Sequence, residues 1–190
     1  CCGLGGPARH QALSRRCRVI GLDYNEGRVK GAADLTRRVN LARRARFLRG
    51  DAQVLPFPAD TFDAVLSQEA LLHIPDKAKA LAECFRVLKP GGRIAFTDWI
   101  AGGALTDDDR AMMWKGIAAQ SVQTINQYLA LLKAAGFAEV RVVNLSAMWV
   151  PILRERLAMY RRLREEACIR SGVDSQAEYV AFYEAFVGLV

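Results

Sequence analysis

The chain has 190 residues, which is the length of one domain. Its composition is 52% hydrophobic and 25% charged, which excludes a disordered chain, and no apolar run approaches the roughly 20 residues of a membrane span. Lys and Arg exceed Asp and Glu to give a net charge of +7, which allows an acidic partner without requiring one. Five cysteines without a CxxC pair and only two histidines argue against a disulfide framework or a zinc site. The same cysteine usage favours a reducing compartment, and we expect a cytoplasmic location. No secretory signal is visible.

Short apolar strands alternate with helices in the first half of the chain. The pattern predicts strands at 18–23, 46–49, 62–67 and 93–98. Helices are predicted over 26–39 and from Asp76 to a turn at 89–92, where Pro and Gly cannot continue a helix. Strands that alternate with helices form a parallel sheet covered on both faces, so we predict a doubly wound α/β fold.

After Trp99 the pattern changes to a helical cap laid on the sheet. Glycines at 101–104 form a flexible link, and Thr106 and Thr124 begin two helices, the second of which stops at Gly136. We expect a fifth strand over 138–145, a long Arg-rich helix over 151–170 and a helix over 176–190. The long helix is expected to bury one face, made of Leu153, Leu157, Tyr160 and Leu163.

No linker divides the chain, so we predict a single domain. Residues 1–99 would form its core, residues 100–122 a lid, and residues 123–190 the remainder of the sheet and the cap.

A glycine-rich turn opens the chain, at Cys2-Gly3-Leu-Gly-Gly-Pro7. Glycines let the backbone turn tightly and approach a ligand, and Pro7 suits the first turn of a helix whose positive end would face that ligand. Asp23 ends the next predicted strand, about twenty residues after Gly3, where an acid is placed to accept hydrogen bonds from ribose hydroxyls. The alternative for Asp23 is a cap for the next helix, a role that Asn25 could serve equally well.

Polar residues also follow the next two strands. Gly50-Asp51-Ala52 places a carboxylate beside a backbone N–H, an arrangement that can bind a purine edge, although a turn aspartate is the alternative. Ser67-Gln68-Glu69-Ala70 closes the third strand. Because ligands of doubly wound sheets lie outside the carboxyl ends of the strands, we expect Asp23, Asp51 and Ser67 to converge on one crevice.

An ordered set of segments over residues 1–145 resembles the class I S-adenosylmethionine-dependent methyltransferases. They are Gly3-Leu-Gly-Gly-Pro-Ala-Arg9, Gly21-Leu-Asp23, Gly50-Asp-Ala52, Leu55-Pro-Phe-Pro58, Phe62-Asp-Ala-Val65 and Arg86-Val-Leu-Lys-Pro-Gly-Gly92. The segment Ser67-Gln-Glu-Ala-Leu-Leu-His73 is similar to the branch that contains sarcosine/dimethylglycine and phosphoethanolamine N-methyltransferases. The resemblance implies a Rossmann-like, mostly parallel sheet and S-adenosyl-L-methionine as cofactor.

The resemblance also implies which residues bind that cofactor. Asp23 would bind the ribose, Tyr24 would lie against the adenine, and Asp51 would meet the adenine amino group. Gly3 and Gly5 would border the methionine part, and Gln68 would contact both the methionine end and the acceptor. The full implied set is Cys2, Gly3, Gly5, Asp23, Tyr24, Asp51, Ala52, Ser67 and Gln68.

Two features depart from the family pattern. The family's first, central strand and the acid that begins its glycine motif would precede Cys1, and the family's last antiparallel strand is not visible before Val190. We therefore expect a fragment that lacks one strand at each end, which would leave sheet edges unpaired.

On the acceptor side, His73 is a candidate general base and Glu69 a candidate holder of an amine, although either could be a packing or solvated residue. Trp99, Trp114 and Trp149 could supply aromatic faces for a cation, although such residues are more often core. No metal is expected. The predicted function is methyl transfer to a small molecule, preferably to an amine nitrogen.

Three alternatives remain open. A nucleic-acid methyltransferase is suggested by Arg37, Arg38, Arg43, Arg44 and Arg46, but these clusters also suit solvated helix faces, and the Asn/Asp-Pro-Pro-aromatic and Pro-Cys motifs of such enzymes are not found. A degenerate, non-catalytic cofactor-binding module is the second. A nicotinamide-dependent dehydrogenase shares the glycine turn and the acid, but segments 50–52 and 89–92 fit the methyltransferase pattern better. No nucleic-acid or membrane partner is expected.

Overall fold

A computed structural model describes residues 1–171 and 177–187. These residues form four strands and seven helices. The strands are β1 (Val19–Asp23), β2 (Ala45–Arg49), β3 (Phe62–Gln68) and β4 (Leu88–Thr97). The helices are α1 (Gly6–Ser14), α2 (Glu26–Arg38), α3 (Lys77–Val87), α4 (Asp107–Ile117), α5 (Ile125–Ala135), α6 (Ser146–Ser171) and α7 (Ala177–Val187), with a 3₁₀ turn at Leu71–His73. The chain divides into two compact units, the first of residues 1–104 and 120–140, the second of residues 105–119 and 141–190.

Two parallel two-stranded ladders make up the sheet structure of the first unit. β1 pairs with β2 in continuous register from Val19↔Ala45 to Asp23↔Arg49. β3 pairs with β4, ending at Gln68↔Thr97. Among the described residues no strand joins one ladder to the other. The parallel α/β architecture is the predicted one.

The turn at 89–92 lies inside β4 rather than before it. The pairing of β3 with β4 jumps from Phe62↔Leu88 to Ala64↔Arg93, so the Pro-Gly-Gly residues bulge out of the ladder. Gly91 has φ +77°, and a Cβ on Gly92 would lie 2.8 Å from the Lys89 carbonyl oxygen. The prediction that α3 ends here is therefore confirmed, while the strand begins earlier than residue 93.

Helix starts follow the capping chemistry of the sequence. Asn25 accepts the Arg28 N–H at the start of α2, and Asp76 accepts the Lys79 N–H at the start of α3. Thr106 and Thr124 each form a capping box at the starts of α4 and α5. The predicted start and stop signals are thereby confirmed, including the end of α5 at the left-handed Gly136.

The core of the first unit lies between α3, α5 and the β3–β4 ladder. Six buried residues form one cluster, and Ile94 and Phe96 of β4 pack against it; the six are Leu71, Ile74, Ala80, Leu81, Tyr128 and Leu132. On α3, Ala80 and Leu81 are buried and Cys84 is half-buried, and Leu88 at the start of β4 is buried as well.

The second unit is helical. Tyr160 of α6 stacks on Tyr183 of α7 with ring centroids 5.1 Å apart, and Arg161 binds Glu184 at 2.8 Å. The prediction of a buried face on the long helix is confirmed for Leu153 and Leu157, which are buried. It is wrong for Leu163, which is exposed.

The predicted fifth strand over 138–145 is wrong. These residues form no strand, and Val140, Val142 and Val143 are exposed. Their alternation suits a strand, but a strand needs a neighbour to take its backbone hydrogen bonds, and none lies beside them in the part of the chain that the structure describes.

The long helix also begins before the predicted residue 151. Asn144 Oδ1 accepts the Ser146 N–H at 2.9 Å, so the helix starts there and carries Pro151 in its interior. The prediction of a last helix holds for α7, and its remaining residues, 176 and 188–190, lie outside the described residues.

Replacing Leu81 by Ala should lower the free energy of unfolding by about 2–5 kcal/mol, because Leu81 is fully buried in the core cluster. Leu13→Ala is the matched control, since Leu13 is 67% exposed and its truncation should cost no more than about 0.5 kcal/mol. Urea denaturation of both variants measures the difference. Equal losses would contradict the assignment of this cluster as the core.

Candidate functional site

Asp23 is the last residue of β1 and its side chain is buried. Its Oδ2 accepts the Gly3 N–H at 2.8 Å, and its Oδ1 accepts the Asn25 N–H at 3.0 Å. Burial works to raise the pKa of Asp23, but the two N–H donors and nearby positive charge outweigh it, so that the pKa is lowered. The carboxylate is therefore an anion fixed to the glycine turn.

The two glycines of the turn have different surroundings. Gly3 has φ +55° and open space where a Cβ would point. Gly5 has φ +76°, and a Cβ there would meet the ring of Phe47 at 2.6 Å. Gly21 in β1 approaches the same ring just as closely. Gly3 is thus open to a ligand, while Gly5 seats the turn against Phe47.

Sequence reasoning missed Phe47. A glycine inside a strand signals a close approach, so Gly21 pointed to some bulky neighbour. It did not identify which one, because the ring comes from the adjacent strand. Helix α1 then begins at Gly6 with Pro7 in its first turn, as predicted.

The end of β2 lies next to Asp23. The Gly50 N–H donates to the Asp23 carbonyl oxygen at 3.0 Å, which extends the ladder by one bond. Asp51 accepts the backbone N–H of Gln53 at 2.8 Å and its side-chain amide at 3.1 Å. The side chain of Asp51 is therefore part of a turn, which is the alternative role given above for this residue. Asp51 also lies at the predicted edge of the sheet.

Gln53 was not among the predicted site residues. Its side chain donates to Asp51, while its Oε1 accepts the Asp76 N–H at 3.2 Å, so it bridges this turn to the start of α3. Ala52 packs against the core cluster that contains Leu71. No spacing rule predicts such a bridge between two loops.

A Glu–Arg pair on α3 holds the following loop. Arg86 donates to the carbonyl oxygens of Phe57 and Leu55 at 2.8 and 3.1 Å. Glu83 pairs with Arg86 and accepts the Leu55 N–H at 2.7 Å. Hydrogen bonding from Arg86 lowers the pKa of Glu83, so the clamp is ionic. The spacing of Glu83 and Arg86 could have predicted their pairing but not the loop that they hold.

The end of β3 carries the acceptor-side candidates. Ser67 and Gln68 pair with Phe96 and Thr97 in the second ladder. Glu69 follows with φ +47°, and its N–H donates to the Thr97 carbonyl oxygen at 2.8 Å. A left-handed backbone at a non-glycine residue costs about 1–3 kcal/mol and is concentrated at functional sites. His73 is exposed on the adjacent 3₁₀ turn.

These contacts bring together part of the predicted site. Gly3 and Asp23 are hydrogen-bonded, and Asp51 follows Gly50, which is bonded to Asp23. Tyr24 lies beside them with 70% of its surface exposed. Ser67 and Gln68 lie at the end of the other ladder, so convergence of all the strand ends on one crevice stays a prediction.

The residues present fit S-adenosylmethionine. An anionic carboxylate suits a ribose diol, an exposed aromatic ring suits an adenine face, and the open side of Gly3 admits a ligand against the backbone. Asp51 would have to release the Gln53 amide to accept the adenine amino group.

The remaining candidates are spread over the molecule. Trp99 belongs to the first unit and Trp114 and Trp149 to the second, where Arg156 lies 5.7 Å over the Trp149 ring. Within residues 1–171 and 177–187, no group of His, Cys, Asp and Glu is arranged to hold a metal, and no helix has the length and apolar character of a membrane span. The suggested basic cluster is exposed, namely Arg37, Arg38, Arg43, Arg44 and Arg46.

Comparison with known families decides the assignment. Residues 1–96 match the model of a methyltransferase domain. The chain belongs to this methyltransferase domain family. Residues 52–163 also match the model of the N-terminal region of anamorsin. The predicted resemblance to class I methyltransferases is confirmed.

Individual relatives lie within the same family. A sterol 24-C-methyltransferase of Aspergillus fumigatus is 33% identical over 142 residues, which are 72% of this chain and 38% of that protein. The 27-O-demethylrifamycin SV methyltransferase of Amycolatopsis mediterranei is 32% identical over 171 residues, which are 87% of this chain and 62% of that protein. The chain therefore spans less than two thirds of these methyltransferases.

A solved structure supports the methyltransferase fold. Phosphoethanolamine N-methyltransferase 2 of Haemonchus contortus, in complex with phosphomonomethylethanolamine and S-adenosylhomocysteine, superposes with a TM-score of 0.86 at 23% identity. The match covers 98% of this chain and 44% of that one. The Rossmann-like fold predicted for the chain is thereby confirmed.

Arg86→Met should release the loop at 55–57, because the loop carbonyls lose a charged donor and Glu83 loses its partner. We expect the free energy of unfolding to fall by about 1–3 kcal/mol and amide exchange at Leu55 to quicken. Arg93→Met, at an exposed arginine on β4, is the control and should have little effect. Unchanged exchange at Leu55 in Arg86→Met would contradict the clamp.

Proposed function

We propose that the chain binds S-adenosylmethionine and transfers its methyl group to a small-molecule acceptor, with an amine nitrogen as the preferred acceptor. The observation that carries the proposal is the hydrogen bond from the Gly3 N–H to the Asp23 carboxylate, which fixes an anion at the end of β1 beside an open glycine turn. Membership of the methyltransferase domain family supports the same reaction class.

Binding of the cofactor is assigned to the first ladder. When bound, S-adenosylmethionine supplies a methyl group already activated on a sulfonium, so the protein has to bind, align and exclude water. Asp23 would accept the ribose hydroxyls, Tyr24 would cover the adenine, and Asp51 with the Ala52 N–H would read its edge. Cys2, Gly3, Gly5, Ser67 and Gln68 are proposed to contact the remainder.

Binding of the acceptor is assigned to the end of β3. A protonated amine has no lone pair with which to attack, so it must lose a proton before methyl transfer. His73 is exposed in the turn that follows β3 and is proposed to take that proton. Glu69 would hold the cationic form of the amine, which its strained backbone position at the strand end supports.

Other acceptors define the alternatives. Two relatives carry names that specify a sterol carbon and a demethylrifamycin oxygen, so hydroxyl and carbon acceptors are the nearest competitors. A nucleic acid acceptor and a module that binds the cofactor without turnover are further alternatives.

We place the reaction in the cytoplasm. Residues 100–122 are proposed as the lid over the acceptor.

Asp23→Asn should weaken the binding of S-adenosylhomocysteine by about tenfold to a hundredfold, because hydrogen bonds to a charged group contribute about 1.5–3 kcal/mol. Asp34→Asn is the matched control, since Asp34 is an exposed aspartate of α2 that pairs with Arg37 on the surface. Isothermal titration calorimetry measures both variants.

Equal affinities of the two variants for S-adenosylhomocysteine would show that Asp23 does not bind the cofactor. If S-adenosylhomocysteine does not bind while a nicotinamide dinucleotide does, the cofactor assignment is wrong and the dehydrogenase alternative replaces it.

A screen of acceptors that begins with sarcosine and dimethylglycine should reveal turnover of an amine. His73→Gln should then lower kcat about a hundredfold or more, since general base catalysis contributes about that much. His10→Gln is the control, because His10 is exposed on α1 and is the other histidine of the chain. Glu69→Gln should raise KM for cationic amines.

Turnover of hydroxyl or carbon acceptors without any turnover of amines would overturn the amine assignment and keep the reaction class. Methylation of a polynucleotide with steep salt dependence would favour the nucleic acid alternative. Cofactor binding without turnover of any acceptor would favour the non-catalytic module.

A further inference from the structure

A buried lysine lies beside the turn that carries His73. Lys77 is the first residue of α3 and is 3% exposed, although lysines are rarely buried. Its ammonium donates to the Ser121 carbonyl oxygen at 2.9 Å, to Ser121 Oγ at 2.6 Å and to the Ile74 carbonyl oxygen at 3.2 Å. All three of its N–H donors therefore have acceptors.

A carboxylate and a phenol complete this buried group. Asp98 follows β4, and its Oδ2 accepts a hydrogen bond from the hydroxyl of Tyr128, which is buried in the core. Its Oδ1 lies 3.4 Å from the Leu72 N–H. Burial raises the pKa of Asp98 and lowers that of Lys77, while each charge partly offsets the other's shift.

The same turn is held from a third side. The N–H groups of Gln120 and Ser121 both donate to the Leu72 carbonyl oxygen, at 2.8 and 3.3 Å. The Leu72 peptide and the Ile74 carbonyl thus bracket His73, and each is bound to a residue of this network. Ser121, whose carbonyl oxygen and Oγ both accept hydrogen bonds from Lys77, lies in the segment that follows residues 105–119.

We propose that Lys77 is a positioning residue for the acceptor side of the site: its buried ammonium fastens the turn that carries His73 to residues 120–121. The proposal rests on the proposed function, since it concerns where the candidate base is held. Lys77 touches no reacting atom and acts through the backbone on either side of His73.

A buried charge does not by itself indicate a stabilising role. A buried charge must give up its hydration, and apolar residues of similar volume often serve stability as well or better. What a buried ammonium adds is geometry, because three acceptors on two segments have to meet one nitrogen. An apolar side chain at position 77 would fill the space without fixing Ile74 relative to Ser121.

Lys77→Met tests the proposal, because it keeps the length of the side chain and removes its donors. Lys79→Met, an exposed lysine on the same helix, is the matched control. We expect amide exchange at residues 72–74 and at 120–121 to quicken together by tenfold or more, with residues 19–49 unchanged. The NMR signals of the His73 imidazole should shift, while those of His10, assigned with His10→Gln, should stay.

Kinetics supply the functional readout. Lys77→Met should lower kcat at least tenfold with the accepted amine and leave the Kd of S-adenosylhomocysteine within twofold of the wild-type value. If Lys77→Met does not fold, Ser121→Ala removes the hydroxyl that accepts a hydrogen bond from Lys77, and it should quicken exchange at residues 72–74 and shift the His73 signals.

Three results would overturn the proposal. The His73 signals could stay unchanged in the folded variant, exchange could quicken by the same factor in residues 19–49, or kcat could remain at the wild-type value. The first and second readouts need no methyl transfer, so they decide the role of Lys77 even if no acceptor is found. Failure of S-adenosylhomocysteine to bind the wild-type protein would instead contradict the proposed function.

Discussion

The hydrogen bond between the Gly3 N–H and the Asp23 carboxylate organises the first half of the molecule. It ties the opening turn to the end of β1, and the Cys2 N–H repeats the tie through the Leu22 carbonyl oxygen. The turn can come this close because Gly5 and Gly21 leave room for the ring of Phe47 between them. An anion and an exposed glycine backbone are thereby presented together at one strand end.

The second ladder is organised differently. Its carboxyl end is surrounded by buried polar groups rather than by glycines, with Asp98, Tyr128 and Lys77 packed under the turn that holds His73. The first ladder offers an open surface beside the Asp23 carboxylate, which suits a large ligand that is bound by its edges. The second fixes short loops in place, which suits groups that must be aligned with a reacting atom.

The bounds of the helices could be predicted because they depend on residues that are close in sequence. The pairing of strands could not, because it depends on residues that are far apart in sequence. The starts of α2, α4 and α5 follow from Asn25, Thr106 and Thr124, and the end of α5 follows from Gly136. These positions could be predicted because capping depends on residues three or four positions away. The predicted strand over 138–145 failed because alternation reports only that a segment could pair. Whether it pairs depends on a neighbour, which is not a property of the segment.

The same division applies to the candidate site. Gly3 and Asp23 were predicted together, since a turn, a helix and a strand of ordinary length bring them to one edge. The clamp formed by Glu83 and Arg86, the bridge formed by Gln53, and Lys77 were not predicted. Each joins elements that are far apart in sequence, and a polar residue on a helix gives no sign of the loop that it will hold.

The left-handed backbone at Glu69 has a consequence for evolution in the laboratory. Glycine or asparagine adopts this conformation more readily than glutamate, so the position sacrifices stability that a different residue would restore. Natural proteins give up stability of this kind where activity depends on a strained residue. Selection for heat resistance alone should therefore replace Glu69 early, and on the role proposed for Glu69 selection for turnover should restore it.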